Sequence, residues 1–377
     1  MPPGADVPFS LAILADYREE GWPSMDLAAE MLHEQLSAWP ERVRASLHRP
    51  AFRRRAGAIP GIGRRLGNVD RIVARLVDYP RWARAQRDRD QCFHVVDHSY
   101  AALVRSLPAE RTGVYCHDLD AFRCLLDPRA DPRPAWFRAM TRWILGGLQR
   151  AAVVFHSTSA VREEILRFGL VDPTRLVHAP LAAAPEFRPE GPVATRDRPY
   201  VLHVGSTIPR KRIDVLLAAF AQARRERPDL TLVQVGGRWT RDQLDQIARL
   251  GLDGGSLEQL RGLEREHLAA LYRGARALLL PSDAEGFGIP LIEALACGTL
   301  ALVSDIPALR EVGEDAAAYV PPGREDAWGD ALSGLLRDPA AGPSRDRRLR
   351  RAGELSWRAH AERIVEAYQR LAARSSR

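Results

Sequence analysis

Along most of the chain, short runs of consecutive apolar residues alternate with stretches in which apolar residues recur every three or four positions. The short runs suit strands buried on both faces of a parallel sheet, and the periodic stretches suit the helices that cover it. In the first half, FSLAILAD (9 to 16), QCFHVVD (91 to 97), TGVYCHD (112 to 118) and AAVVFHST (151 to 158) read as strands with helices between them. The helix after the fourth run is well punctuated: Ser159 can cap its start, Glu163 and Glu164 fall in its first turn, and Gly169 follows its end. Over APLAAAPEFRPEGPVATRDRP (179 to 199) no period holds, and the alternation restarts with YVLHVGS (200 to 206).

Next come a stripe of Ile213, Leu216, Leu217 and Phe220, the strand LTLVQVGG (230 to 237) and the helix REHLAALYRGA (265 to 275). The strand RALLLPS (276 to 282), the helix PLIEALACG (290 to 298) and the strand TLALVS (299 to 304) continue the series. The simplest architecture for this is α/β, with two doubly wound domains in tandem joined by the aperiodic stretch. A chain of 377 residues is long for a single core, which agrees with two domains. A last amphipathic helix, about 357 to 373, fits against either one.

Composition narrows the class. Four cysteines, Cys92, Cys116, Cys124 and Cys297, have neither a disulfide framework nor zinc spacing, and read as reduced, buried thiols in a cytoplasmic protein. The first apolar run, VPFSLAILA, has no basic residue before it and leads into DYREE, so it reads as a core strand and not a leader. No stretch approaches the roughly 18 apolar residues of a membrane helix, so any membrane contact is expected to be peripheral.

The net charge of +7 is concentrated: residues 42 to 89 hold fourteen arginines against three aspartates, a net +11 that leaves −4 for the remainder. That segment suits either a solvated helical face or a contact with anionic lipid or a phosphate-bearing acceptor. No nucleic-acid-binding module accompanies it, and nucleic acid is not expected as a partner.

Chemistry concentrates in two stretches that each follow a strand, where open α/β sheets bind ligands. In GSTIPRK (205 to 211), Gly205 permits a tight exit, Ser206 follows, and Pro209 stiffens the loop before Arg210 and Lys211, the only lysine of the chain. Two cations at a helix start suit a diphosphate, although the same residues also fit an exposed basic turn. In SDAEGFGIPLIEALACG (282 to 298), Glu285 lies in the loop, Gly286 and Gly288 allow close backbone approach, Pro290 fits the first helical position and Glu293 is expected in the first turn. Carboxylates accept from vicinal hydroxyl pairs, so a sugar ring suits them.

The segment EGFGIPLIEALACG resembles the E-x7-E signature of retaining glycosyltransferases of family 4, and HVGSTIPRKRIDVLLAAF and LAALYRGARALLLPS resemble the segments that accompany it. The likeness is dense over 200 to 323 and thinner in the first half, at Gly21, at His117 in YCHDLD and at VVFHSTSAVREEIL. It implies the GT-B fold of two facing Rossmann-like domains, here 1–185 with the returning helix 357–377, and 186–356. It further implies that Glu285 holds donor-sugar hydroxyls, with the backbone of Phe287, Gly288 and Ile289 near the sugar and diphosphate. Glu293 would hold the ribose, and Arg210 and Lys211 would neutralise the leaving diphosphate. His117 would lie near donor sugar and acceptor, with Gly21 and Trp22 on the acceptor side.

Many family members carry arginine where this chain has Ser206, which places more of the charge on Arg210 and Lys211. The resemblance implies transfer of a hexose from a UDP- or GDP-sugar to a glycan, lipid-linked or small-molecule acceptor, with retention and without a metal cofactor, so that activity survives a chelator. The expected location is the cytoplasm, at the inner face of the membrane if the segment 42 to 89 meets lipid.

Other readings of the same residues are a hydrolase using Glu285 and Glu293 as acid and base, a metal-dependent transferase using Asp118 and Asp120, a GT-B nucleotide-sugar epimerase, and a non-catalytic nucleotide-sugar sensor. His94, His98, His203 and His267 have no metal-ligand spacing and read as structural.

Overall fold

The structure, a computed structural model, describes residues 8–55, 63–252 and 254–375. The chain forms two compact units, Met1–Pro180 with Trp357–Arg377, and Leu181–Ser356.

In the first unit, β1 (Phe9–Leu14), β2 (Val43–His48), β3 (Cys92–Val95), β4 (Thr112–Cys116), β5 (Val153–His156) and β6 (Leu176–His178) form one parallel sheet in the order β2-β1-β3-β4-β5-β6. Its helices are α1 (Pro23–Ser37), α2 (Gly63–Val73), α3 (Tyr79–Gln86), the short α4 (Arg123–Leu126), α5 (Ala135–Leu148) and α6 (Ser159–Arg167). The cap of α6 is Thr158, whose hydroxyl accepts from the Val161 N–H at 3.3 Å; Ser159 is already the first helical residue. The shift has a local cause, because Thr158 still has the extended backbone that a capping side chain needs.

In the second unit, β7 (Tyr200–Gly205), β8 (Thr231–Gly236), β9 (Leu257–Leu260), β10 (Leu278–Leu280), β11 (Ala301–Ser304) and β12 (Ala318–Val320) form a second parallel sheet, ordered β12-β11-β10-β7-β8-β9. Around it lie α7 (Ile213–Glu226), α8 (Arg241–Arg249), α9 (Arg265–Gly274), α10 (Ile289–Ala296), α11 (Pro307–Gly313), α12 (Glu325–Arg337) and α13 (Arg345–Gly353). The expected stripe on α7 is buried and joins Trp328, Leu332 and Leu336 of α12 in one cluster. Each such side chain contributes roughly 1.5–3 kcal/mol of burial.

The last helix, α14 (Trp357–Ser375), belongs to the first unit. It is pinned there by Tyr368, whose hydroxyl donates to the Phe93 carbonyl at 2.9 Å and lies 3.0 Å from His94 Nδ1.

All eight strands read from the apolar runs are present, and the four that the pattern missed, β2, β6, β9 and β12, are the two edges of each sheet. An edge strand is covered on fewer sides, so it need not be a continuous apolar run. Only Val43 is buried in β2 and none of the four residues of β9 is.

The four cysteines are free and buried. Among the described residues no helix is long and apolar enough to cross a membrane. Within the arginine-rich segment, residues 56–62 lie outside the described residues; of the others, Arg49 pairs with Asp26, Arg55 with Asp78 at 2.7 and 2.8 Å, and Arg75 with Glu20 at 2.7 Å.

Candidate functional site

The strand order of the second sheet places its first strand, β7, in the middle, with β8 and β9 on one side and β10 to β12 on the other. Crossovers leave β7 and β10 in opposite directions, so the loops after these neighbouring strands part and leave a crevice at the carboxyl end of the sheet. Those loops carry Lys211 and Glu285.

Lys211 ends a single 3-10 turn, Pro209–Lys211, and is 8% exposed, which removes the reading as a solvated basic turn. Its Nζ donates to Glu285 Oε1 at 2.5 Å, and Ser282 Oγ donates to the same oxygen at 2.6 Å. Arg210 Nη1 lies 3.7 Å from Glu285 Oε2 and donates to the Ala284 carbonyl at 3.0 Å. The Asp283 N–H donates to the Arg210 carbonyl at 2.8 Å, so backbone and side chain tie the loops together.

The next residue, Arg212, has φ +47°, a left-handed conformation that a non-glycine residue adopts only when its surroundings insist. Asp214 and Asp283 hold its guanidinium at 2.7 to 3.1 Å. Burial alone would push the Glu285 carboxyl up, but Lys211, Arg210 and the Lys211 and Ser282 hydrogen bonds outweigh it and hold it below the ordinary value.

Gly205 and Ser206 are half-buried at the start of the loop. Gly205 is approached closely from β8: a side chain on Gly236 would run into the Gly205 carbonyl, which accepts from Gln234 Nε2 at 2.9 Å. Gly288 caps α10 with φ +92°, and a Cβ there would collide with Leu309.

The helix it opens begins at Ile289, so Pro290 is its second residue and Glu293 its fifth, one residue deeper than expected. The physical reason is the left-handed Gly288, which lets helical geometry start one residue before the proline. Glu293 is 5% exposed and accepts from Tyr272 Oη at 2.8 Å. Burial drives its carboxyl up to about 8, against the Tyr272 hydrogen bond and Arg265. Phe287 is buried in the turn before the helix.

His203, on β7, donates from Nδ1 to the Leu279 carbonyl at 2.9 Å, and burial lowers its imidazole to about 4, so it is neutral.

In the first unit the reversal of strand order falls between β1 and β3. Asp16 and Asp97 follow those strands, 3% and 6% exposed. Neither Asp16 oxygen meets an N–H or hydroxyl, and its carboxyl is raised well above the ordinary value, by burial first and then by Asp97. Asp97 accepts from the Ser99 N–H at 2.9 Å. Burial would raise it too, but His98, His117 and Ser99 hold it at about 2.

His117 follows β4. It is buried, its Nε2 donates to the Val96 carbonyl at 2.8 Å, and its backbone N–H donates to His98 Nδ1 at 3.3 Å. Burial lowers its pKa against the attraction of Asp97. Gly21 has φ +72° at the end of the turn after β1, and Trp22 beside it is 48% exposed.

Asp118 Oδ1 accepts from the Asp120 N–H at 3.0 Å, an ordinary turn contact. Among the described residues no three His, Cys, Asp or Glu side chains converge as a metal-ligand set.

The site residues missed in the sequence, Ser282, Tyr272, Asp16 and Asp97, share a signal. Each is a polar residue at a strand end or on the buried face of a helix. These four act through partners that the fold, and not spacing along the chain, sets beside them.

Against known proteins, a family model described as Glycosyl transferases group 1 matches residues 186–373. O-antigen chain mannosyltransferase B of Escherichia coli is 30% identical over 274 residues, 70% of this chain and 71% of that protein. D-inositol 3-phosphate glycosyltransferase of Frankia alni is 32% identical over 238 residues, 56% of this chain and 57% of that protein.

Among solved structures, a sucrose-phosphate synthase from Thermosynechococcus elongatus aligns over 97% of this chain and 100% of its own, with TM-score 0.74 and 20% identity. Anabaena Alr3699/HepE, in complex with UDP and glucose, aligns over 98% and 99%, with TM-score 0.65 and 16% identity. At these identities the structures establish the fold, two Rossmann-like domains of the GT-B type.

Proposed function

The chain belongs to the group 1 glycosyl transferases, and on that premise we propose that it is a retaining enzyme that moves a hexose from a nucleotide diphosphate sugar to a glycan or lipid-linked acceptor. In this reading the bond between the anomeric carbon and the diphosphate oxygen breaks while the acceptor oxygen bonds to that carbon on the same face. The departing phosphate oxygen takes the acceptor proton. Negative charge grows on the leaving group, so cations already fixed in place stabilise the transition state more than the ground state.

Lys211 and Arg210 take that role. Glu285 holds hydroxyls of the donor sugar, the backbone of Gly205, Ser206, Phe287, Gly288 and Ile289 lines donor sugar and diphosphate, and Glu293 accepts from the ribose. Gly21, Trp22 and His117 serve the acceptor side. No metal is needed for the charge balance, because the protein supplies both cations.

The observation that carries the reading is the buried contact between Lys211 and Glu285, with Arg210 on the other carboxylate oxygen. Without ligand Glu285 offsets part of the charge of Lys211 and Arg210. A nucleotide sugar offers replacements for both sides, an anion for the cations and hydroxyls for the carboxylate, so it can enter without leaving a buried charge unpaired.

The mannosyltransferase relative and the neighbour solved with UDP and glucose support testing mannosyl and glucosyl donors first. A thermal-shift panel of UDP- and GDP-sugars identifies the donor, since a ligand at 100 times its Kd stabilises by about 2.7 kcal/mol. One sugar nucleotide should raise Tm, and product should form only with acceptor present. A panel that leaves Tm unmoved, or a donor sugar that changes without any acceptor, defeats the proposal.

A further inference from the structure

One polar side chain interrupts the apolar run of β8. Gln234 follows Leu232 and Val233, precedes Val235, and is fully buried. A buried amide is costly unless its hydrogen bonds are met. Here the loop after β7 and the edge strand meet them. Gln234 Nε2 donates to the Gly205 carbonyl at 2.9 Å, and Gln234 Oε1 accepts from Gln259 Nε2 of β9 at 2.9 Å. The Gly205 carbonyl can only accept, so the amide nitrogen must face it. The amide oxygen is then left for β9, and Gln259 supplies the donor that keeps it there.

The register accounts for the reach. Gln234 pairs with His203, two residues before Gly205 on β7, and with Gln259 on its other side. The Gly237 N–H also donates to the Gly205 carbonyl, at 3.3 Å. Thr207 is held on the same side: its hydroxyl donates to the Arg238 carbonyl at 2.6 Å, and its carbonyl accepts from Gln243 Nε2 of α8 at 3.0 Å. Side chains and backbone of β8 and the residues after it thus anchor the start of the donor loop.

The consequence falls on Ser206. Its N–H shares a planar trans peptide with the Gly205 carbonyl, so the two point in opposite directions. With the carbonyl held toward β8, the N–H points toward β10, the other neighbour of β7, whose following loop carries Glu285. Among the described residues this N–H meets no acceptor. Lys211 runs alongside, since a Cβ on Gly205 would lie 3.7 Å from Lys211 Cε.

We propose that Gln234, steadied by Gln259, is a positioning residue for the donor: it turns the Ser206 N–H toward the diphosphate that Arg210 and Lys211 receive. This role rests on the donor site proposed above. A donor fixed in place before the anion arrives adds a charge-assisted hydrogen bond without reorganisation on binding. An apolar residue at 234 would suit the strand equally well and leave that peptide free to turn.

The test is calorimetry of the full chain with UDP and GDP, and with uridine and guanosine measured by competition. The wild type should bind one diphosphate more tightly than its nucleoside. Gln234→Leu should weaken that diphosphate about tenfold, as expected for one hydrogen bond to a charged group, and leave the nucleoside unchanged. Gln259→Leu keeps Gln234 but releases its amide, and should weaken the diphosphate by a smaller factor, with Tm of the unliganded variants as the check on folding. A purely structural role would weaken diphosphate and nucleoside alike. Equal weakening of both, or variants with wild-type affinity for both, would overturn the positioning role and leave the donor site standing. A wild type that binds neither diphosphate overturns the donor site itself, and this role with it.

Discussion

At the reversal point of the second sheet, between β7 and β10, two cations close on one carboxylate; at that of the first sheet, between β1 and β3, two buried carboxylates interact, and burial with the charge of Asp97 raises the Asp16 carboxyl well above its ordinary value. The topology provides an equivalent crevice in both units, and the charges that fill it differ. Opposite charges of the Lys211–Glu285 kind can be separated by a ligand that replaces each partner, which suits a charged diphosphate sugar. Like charges of the Asp16–Asp97 kind make the first crevice acidic at that point, where the second is basic. The fold therefore repeats the crevice, and the sign of the local charge differs between the two units.

The largest test of this contrast is Lys211→Ala against Asp16→Asn. Removing a fixed cation aimed at the leaving group should lower kcat by about 10²–10³-fold, and the donor-induced rise in Tm should shrink. Asp16→Asn should leave that rise intact, because it lies in the other unit. If both variants lose the donor response equally in a thermal-shift titration, the division of labour drawn here is wrong.

A second test uses pH. Glu293, pushed up to about 8 in the folded state, holds its proton across a window in which the unfolded chain, at the ordinary 4.5, has released it. The folded state then binds more protons between about 4.5 and about 8, so stability should fall as pH rises through that window, by at most about 1.4 kcal/mol per pH unit. Glu293→Gln removes this loss and should flatten the Tm–pH profile there. Glu285 behaves oppositely: its folded value is depressed, so its contribution is present above 4.5 and fades as pH falls through the folded value. A Glu293→Gln profile that keeps the wild-type slope would show that Glu293 is ionised in the folded protein.

The smallest effect is expected at Trp22, which is half exposed at the edge of the first unit. Trp22→Ala should change stability by no more than about 0.5 kcal/mol and raise KM for the acceptor severalfold without altering the nucleotide response. An unchanged acceptor KM in initial-rate assays would take Trp22 out of the acceptor side and leave it as surface.

Much of the candidate site was legible because its residues are close in the chain. Glu285 to Glu293, with Gly288 and Pro290 between them, forms one loop and one helix start, and Arg210 and Lys211 share one turn. Their chemical character can be read from spacing alone. Asp16 and Asp97 were not legible, since each is a single acid at the end of an apolar run and only the pairing of β1 with β3 brings them together. Tyr272 was hidden for a similar reason: within α9 it reads as one more large residue of the buried stripe, and its hydroxyl gains a role only when α10 places Glu293 beside it.

By itself the sequence determined the eight central strands, the two-domain α/β class and the residue types of the donor loops, because buried strands and helix faces impose a local periodicity that composition cannot hide. The tertiary structure alone decided the four edge strands, whose partial cover relaxes that periodicity. It alone decided that Lys211 is buried against Glu285, 74 residues away, that burial raises the Glu293 carboxyl, and that two tryptophans of α5 face water. Burial and charge pairing are properties of neighbours in space, and the chain brings those neighbours together only when the sheets form.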